Sequence, residues 1–283
     1  MNHHQLLKSI VAVSSFAIAI LGSAAVAIPH AQAAELSLFI DTAFAKEATT
    51  SDILTADERI VILKTIISSS QDEISNLKDK LADLQLDNQW ARTKDNFLNQ
   101  LATSSNYYDS LSNQLDAKDI TIDEIKSTAK DLKDWRETTY TPQLKEISNL
   151  ILLSQSDVVY HIVQNRHNKI SGDLKRLDKQ KLVNTDILKK YLSQAEKSIK
   201  NAKDLNDQAK DLYYIVSVEP LQPKKDAEQA DQTETISTTK ESIFTDQPKQ
   251  DPQDIVNDLS KASLKELKTA YELFFKMNDW IRK

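Results

Sequence analysis

The sequence contains no cysteine and only two glycines among its 283 residues. A globular chain of this length ordinarily carries roughly twenty glycines, at a usage of about 7%. Strand-rich and mixed strand–helix architectures need glycine at their turns, so both become improbable. Without cysteine there is no disulfide framework, and stability must come from packing. We therefore predict an all-α protein.

The first 33 residues have the pattern of a secretory signal peptide. Lys8 gives the start a positive charge, residues 10–28 are mostly apolar, and small residues occupy both ends of the triplet 31–33. This order is typical of a signal that a peptidase removes. We expect an exported protein, periplasmic or extracellular, whose mature chain begins near Ala34. The alternative is an uncleaved N-terminal membrane anchor, because the apolar run approaches the roughly 20 residues that span a bilayer.

The mature chain keeps one glycine, Gly172, and two histidines, His161 and His167. Phosphate-binding loops, dinucleotide fingerprints and nucleophile elbows each need two or three glycines in close succession. The two histidines are about 120° apart around a helix and cannot bind one ion from it, whereas Asp157 is placed to form a structural pair with His161. We predict that the protein binds no cofactor and no metal and is not an enzyme. A hydrolase with carboxylates on adjacent helices stays a less favoured alternative, because two acids that folding brings together need have no characteristic spacing in the sequence.

Hydrophobic periodicity predicts three long helices over residues 55–218. The first is expected to run from Thr55, which forms a capping box with Glu58, to Lys118. Its apolar residues follow the alternating three-and-four spacing of a coiled coil. That spacing slips by one position between Leu84 and Trp90, which predicts a local change of supercoil.

The second helix is expected to start at Ile122, after a second capping box, and to reach about Gln180 with a kink at Pro142. The third follows an elbow at 181–183, is capped by Asn184, and packs along the apolar part of the second. The first two helices have nearly equal lengths, which predicts an antiparallel hairpin about 95 Å long. The fold class is therefore an elongated antiparallel coiled-coil or helical bundle.

Three further segments complete the predicted organisation. Residues 34–54 are a flexible N-terminal segment, and residues 219–250, with three prolines, seven acids and six apolar residues, are a disordered linker. Residues 251–283 form a C-terminal amphipathic helix with proline at its first position. We expect this helix to fold back onto the aromatic half of the hairpin, near Trp90 and Trp135. Those aromatic residues are interpreted as core filling, with a partner surface as the alternative.

Charge is unevenly placed in this acidic chain of formal net charge −6. Residues 164–203 carry eleven bases and four acids. The bases are expected to pair with the acidic first helix; the alternative is an anionic partner such as a lipid head group or an envelope polymer. Nucleic acid is an improbable partner at a pI near 5.5. Six bases crowd the second elbow and form a candidate anion-binding site: Lys175, Arg176, Lys179, Lys181, Lys189 and Lys190.

The leading functional hypothesis is an exported, non-catalytic helical rod. It would act as an envelope or extracellular scaffold that binds a protein partner, or itself, through its coiled-coil faces. The alternative is a membrane-active, toxin-like protein that inserts the apolar stretch 147–163. Four consecutive polar residues at 154–157 favour burial of that stretch in protein over burial in lipid.

Overall fold

The computed structural model describes residues 55–84, 86, 88–117, 120–180, 184–218 and 250–282. Every regular element in these residues is helical, which confirms the all-α prediction. The elements are α1 (Ala56–Asp83), α2 (Asn88–Leu115), α3 (Ile122–Trp135), the π-helical turn π1 (Arg136–Tyr140), α4 (Thr141–Gln180), α5 (Asp186–Tyr213), the π-helical turn π2 (Tyr214–Val218) and α6 (Pro252–Arg282).

The chain divides into two compact units inside α4, after Ser154. The described part of the N-terminal unit is 55–154, and that of the C-terminal unit is 155–282. The predicted signal peptide, the segment 34–54 and almost all of the predicted linker lie outside the described residues.

In the N-terminal unit, α1 and α2 form an antiparallel hairpin. Lys64 of α1 pairs with Asp116 near the end of α2, and Gln71 Nε2 donates to Asp109 Oδ1 at 2.5 Å. The prediction of one continuous helix from Thr55 to Lys118 is therefore wrong, and so is the 95 Å hairpin that rested on it. Within those bounds the chain folds back on itself.

The turn between α1 and α2 begins at Leu84, which has an extended conformation (φ −66°, ψ 125°). The last carbonyls of a helix have no partner within the helix. Lys94 of α2 provides one, because its Nζ donates to the carbonyl oxygens of Ala82 at 2.7 Å and Leu84 at 3.2 Å. The slip in the apolar spacing after Leu84 therefore marks a reversal of the chain.

The apolar positions predicted on either side of this turn do form the core. Five of them in α1 are 3% exposed or less, and Phe97, Leu101, Tyr108 and Leu115 in α2 are equally buried. The α1 members are Leu63, Ile67, Ile74, Leu77 and Leu81. Periodicity thus predicted the buried face correctly and the helix length incorrectly.

Both predicted capping boxes are present. The Thr55 and Thr121 hydroxyls accept from the amides of Glu58 and Glu124, and each glutamate accepts the amide of its threonine in return. The helix begun at Ile122 continues through Pro142 to Gln180, as predicted, but by way of π1.

Pro142 explains the position of that turn. Proline has no N–H and its ring collides with the carbonyl four residues earlier, which is that of Thr138. In π1 the helix is wider, and the Thr141 N–H donates to the Arg136 carbonyl five residues back. The extra residue relieves the clash, so a π turn lies where the kink was predicted.

The C-terminal unit is a three-helix bundle formed by the second half of α4, α5 and α6. Lys210 and Lys189 of α5 pair with Asp157 and Asp178 of α4, so these two helices are antiparallel. The Ser263 hydroxyl of α6 donates to the Ala202 carbonyl of α5 at 2.8 Å. Gln253 Nε2 reaches Ser217 Oγ at 2.5 Å, which makes α6 antiparallel to α5.

The predicted docking of the C-terminal helix is wrong. α6 joins a core cluster with the apolar stripes of α4 and α5, and these include Val163, Leu174 and Ile199. Two helices alone would leave those stripes open to water, and α6 covers them. The aromatic half that we expected it to cover already buries Trp90, Phe97 and Tyr108.

The start of α5 differs from prediction by one residue. Its N-cap is Thr185, whose hydroxyl donates to Asp178 Oδ1 at 2.7 Å and does not cap the helix. The predicted cap, Asn184, still accepts the Asp186 amide at 2.9 Å. The elbow residues 181–183, with Lys181 among them, lie outside the described residues.

Candidate functional site

The basic elbow joins the end of α4 to the start of α5. Lys175 and Lys179 on α4 and Lys190 on α5 are exposed. They form no ion pair within the described part of the chain. These three lysines are the predicted cations that the elbow leaves available to a partner.

Two other predicted cations have acidic neighbours within the C-terminal unit. Lys189 Nζ lies 2.7 Å from Asp178 Oδ1, and its hydrogen bond, together with that of Thr185, lowers the pKa of Asp178. Arg176 Nη1 lies 3.8 Å from Asp173 Oδ1, on a largely exposed side chain. The acids that pair with the elbow therefore come from α4 itself.

The C-terminal end of α6 lies at the same end of the C-terminal unit as the elbow. α4 and α6 are parallel, because Ser156 contacts Ser263 at 3.0 Å and Arg166 interacts electrostatically with Tyr271 further along. This brings Lys276, and also the acids Glu272 and Asp279, toward the elbow. No local pattern in the sequence indicates that α6 reaches this end of the C-terminal unit.

Asp157 does not pair with His161 as expected. It accepts from Asn206 Nδ2 at 2.7 Å and from Lys210 Nζ at 2.6 Å, and both donors belong to α5. His161 is exposed, whereas His167 is buried. Among the described residues, no three His, Cys, Asp or Glu side chains are grouped so that they could hold a metal ion.

An aromatic cluster fills the N-terminal unit beside π1. Trp135 stacks on Tyr107 with 4.0 Å between ring centroids and on Tyr140 with 5.5 Å, and Tyr108 meets both Trp135 and Tyr140 edge-on. Tyr108 and Tyr140 are fully buried, while Tyr107 and Trp135 are half-buried. This geometry fits the interpretation of these residues as core filling.

Arg136, the first residue of π1, is the centre of a buried polar network in this unit. Its side chain is 3% exposed, and its Nη1 donates to Ser70 Oγ and to Tyr108 Oη, each at 2.6 Å. Tyr140, at the other end of π1, donates to Glu73 Oε2 at 3.0 Å. The network joins α1, α2 and π1, and π turns often accompany functional sites.

Burial controls the protonation of this network. It raises the pKa of Glu73, against the opposing effects of the Tyr140 hydrogen bond and the Arg136 charge. Burial also raises the pKa of Tyr108 to about 12, so its hydroxyl stays protonated at neutral pH. Burial thus moves the pKa of the Glu73 carboxyl toward neutral pH.

The outer face of α2 carries no charge over about three and a half turns. No Lys, Arg, Asp or Glu occurs between Asp95 and Asp109, in a chain that is 28% charged. The exposed residues of this stretch are Asn99, Ala102, Thr103 and Asn106. Protein-binding surfaces are depleted of charged residues at their centres, and this face shares that property.

No protein-family model matches the chain, and no curated protein or solved structure is significantly similar to it. Within the part of the chain that the structure describes, no helix combines the length and the apolar character needed to cross a membrane.

Proposed function

We propose that the protein is an exported, non-catalytic helical scaffold that binds another protein or a second copy of itself. The observation that carries this proposal is the charge-free outer face of α2, with Asn99, Ala102, Thr103 and Asn106 exposed. Such a face loses little solvation free energy when a partner covers it, because no ion must be dehydrated. Export follows from the signal pattern in the first 33 residues.

The polar side chains inside both units support the same proposal. Arg136 joins α1, α2 and π1, and Ser263 joins α6 to α4 and α5. Groups that could in other settings carry out acid–base chemistry here hold helices together. Their arrangement favours a structural role over catalysis.

Cross-linking of the mature protein in its native envelope tests the proposal. Ala102→Lys with Asn106→Glu places two charges on the outer face of α2. The matched control, Thr65→Lys with Ser69→Glu, places the same charges at the same spacing on exposed positions of α1. We expect the first variant to lose the cross-linked species that the wild type and the control both form. Equal cross-linking by all three proteins would contradict a binding role for the α2 face.

A second candidate role is attachment to an anionic lipid or envelope polymer through the basic elbow. It rests on Lys175, Lys179 and Lys190, which are exposed and form no ion pair within the described residues. Exposed charges act weakly and are screened by salt. Any such contact should therefore be multivalent and salt-sensitive.

Co-sedimentation with anionic vesicles, or with cell-wall polymer, at low and moderate salt tests this role. Changing Lys175, Lys179 and Lys190 to Gln should abolish binding at low salt. The matched control changes three exposed lysines of α6 that also form no ion pair within the described residues: Lys261, Lys265 and Lys268. Equal losses in both triple variants would mean that net charge, and not the elbow, determines binding.

A further inference from the structure

Two residues of α1 face two residues of π1 across the core of the N-terminal unit. Ser70 and Glu73 lie one turn apart on α1, and Arg136 and Tyr140 lie about one turn apart on π1. Ser70 Oγ accepts from Arg136 Nη1, and Glu73 Oε2 accepts from Tyr140 Oη. Side chains one turn apart on a helix are neighbours, with about 5–6 Å between their Cβ atoms. The flexible Glu73 side chain is therefore within reach of Arg136 as well.

The guanidinium of Arg136 lies over the Tyr140 ring, 5.2 Å from its centroid, but has no carboxylate partner among the described residues. Only its Nη1 is hydrogen-bonded, and both acceptors are neutral hydroxyls. Its Nη2 is buried with no acceptor among the described residues, none of which places a carboxylate oxygen within 4.0 Å of the guanidinium. A buried charge without a counter-ion is costly. A carboxylate that reached Nη2 would remove that cost.

Glu73 is the one carboxylate that the network itself offers. The titratable groups that act on it are Arg136 and Tyr140 of π1 and Tyr108 of α2, which also feels the Glu73 charge. Where it now lies, with Tyr140 as its hydrogen-bond donor, burial raises the pKa of Glu73. Burial thus disfavours the ionised form in this position, and a carboxylate on Nη2 of Arg136 would gain a counter-ion there.

We propose that Glu73 is a proton-controlled switch between α1 and π1. The protonated side chain stays on the Tyr140 hydroxyl. When the proton leaves to solvent, the carboxylate moves to Nη2 of Arg136 and the Tyr140 hydroxyl loses its acceptor. The contact between the two elements thus has two states, and pH selects between them. The switch belongs to the N-terminal unit and does not depend on the proposed binding function.

Two readouts on the full mature chain test the switch between pH 3 and 8. Trp135 stacks on Tyr140, so its fluorescence should change when Tyr140 loses its partner. The guanidinium NMR signal of Arg136, assigned by its absence in Arg136→Lys, should shift over the same pH range. The second readout needs no variant of Glu73 and follows Arg136 directly.

Glu73→Gln is the decisive variant, because glutamine keeps the acceptor for Tyr140 and cannot ionise. We expect this variant to show the acid-state fluorescence of the wild type at every pH, and to lose the transition. Circular dichroism checks that it folds. The proposal is overturned if the transition persists in Glu73→Gln, if the wild type shows none, or if the Arg136 signal stays constant while Glu73 titrates.

Discussion

Leu267 of α6 is fully buried, at 0% exposure, in the core cluster that α6 shares with α4 and α5. Replacing it with alanine removes the apolar contacts and leaves a cavity, which costs about 2–5 kcal/mol for leucine in a protein core. A domain of 60–100 residues loses roughly 4–8 °C of Tm for each kcal/mol. We therefore expect the melting temperature of the C-terminal unit to fall by at least about 8 °C.

Hydrogen exchange followed by mass spectrometry can assign this loss to a part of the chain. A loss of about 2 kcal/mol raises the population of the open state about thirtyfold. Peptides from α5 should exchange faster by about that factor in Leu267→Ala. The neighbouring substitution Lys268→Ala is the control, because Lys268 is exposed and such changes usually stay within about 0.5 kcal/mol.

The outcome distinguishes the observed docking of α6 from the one that the sequence suggested. Faster exchange in α5 would agree with α6 covering the stripes of α4 and α5. Faster exchange confined to α1 and α2 would instead mean that α6 lies on the aromatic cluster, and the reasoning from Leu267 would fail. The reasoning from Leu267 would also fail if Leu267→Ala and Lys268→Ala had the same exchange rates in α5.

Three further predictions concern helix ends, the connection to α6 and acid. Thr55→Ala and Thr121→Ala each remove a capping box, and each should cost about 0.5–2 kcal/mol in chemical denaturation, whereas Thr65→Ala on the surface of α1 should cost less. The ends of π2 and α6 meet, because Gln253 donates a hydrogen bond to Ser217. Replacing residues 221–248 by eight Gly/Ser residues should therefore leave the C-terminal unit as stable as before, or stabilise it by about 1 kcal/mol, since a shorter loop costs less entropy to close. A lower Tm would contradict the observed contact between these ends. The pKa of Asp178 is lowered in the folded state, so its contribution to folding stability is present above the ordinary value of 3.8 and is lost as pH falls. Hydrogen exchange of the amides at the start of α5 should therefore become faster below about pH 4. Asp178→Asn should show this faster exchange already at pH 7.

The features that the sequence predicted correctly are those decided by a few neighbouring residues. A capping box is complete within four residues, so Thr55 with Glu58 and Thr121 with Glu124 could be read directly. The buried face of each helix follows from spacing alone, which is why the apolar positions were correct even where the helix bounds were not. The all-α class followed from the scarcity of glycine.

The turn after α1 was missed because it contains none of the usual signals. Residues 84–87 include neither glycine nor proline, and the reversal is supported by Lys94, which lies ten residues beyond Leu84. The place of α6 was missed for a related reason. An amphipathic stripe shows that a helix needs a partner, but it does not say which apolar surface will receive it.

The two candidate sites were predictable to different degrees, because one is formed by residues close in sequence and the other by residues far apart. The bases of the elbow are close in sequence, so their crowding could be foreseen, although the pairing of Lys189 with Asp178 and the approach of α6 could not. The Arg136 network joins side chains 28 to 67 residues apart, and no local pattern encodes it. One local sign did exist, since Pro142 disturbs the helix one turn after Arg136. Arg136 begins π1 and is buried, and a buried arginine needs polar partners, which it finds on α1 and α2. The proline is therefore a local sign of where π1 lies, whereas the partners of Arg136 come from parts of the chain that no local pattern connects to it.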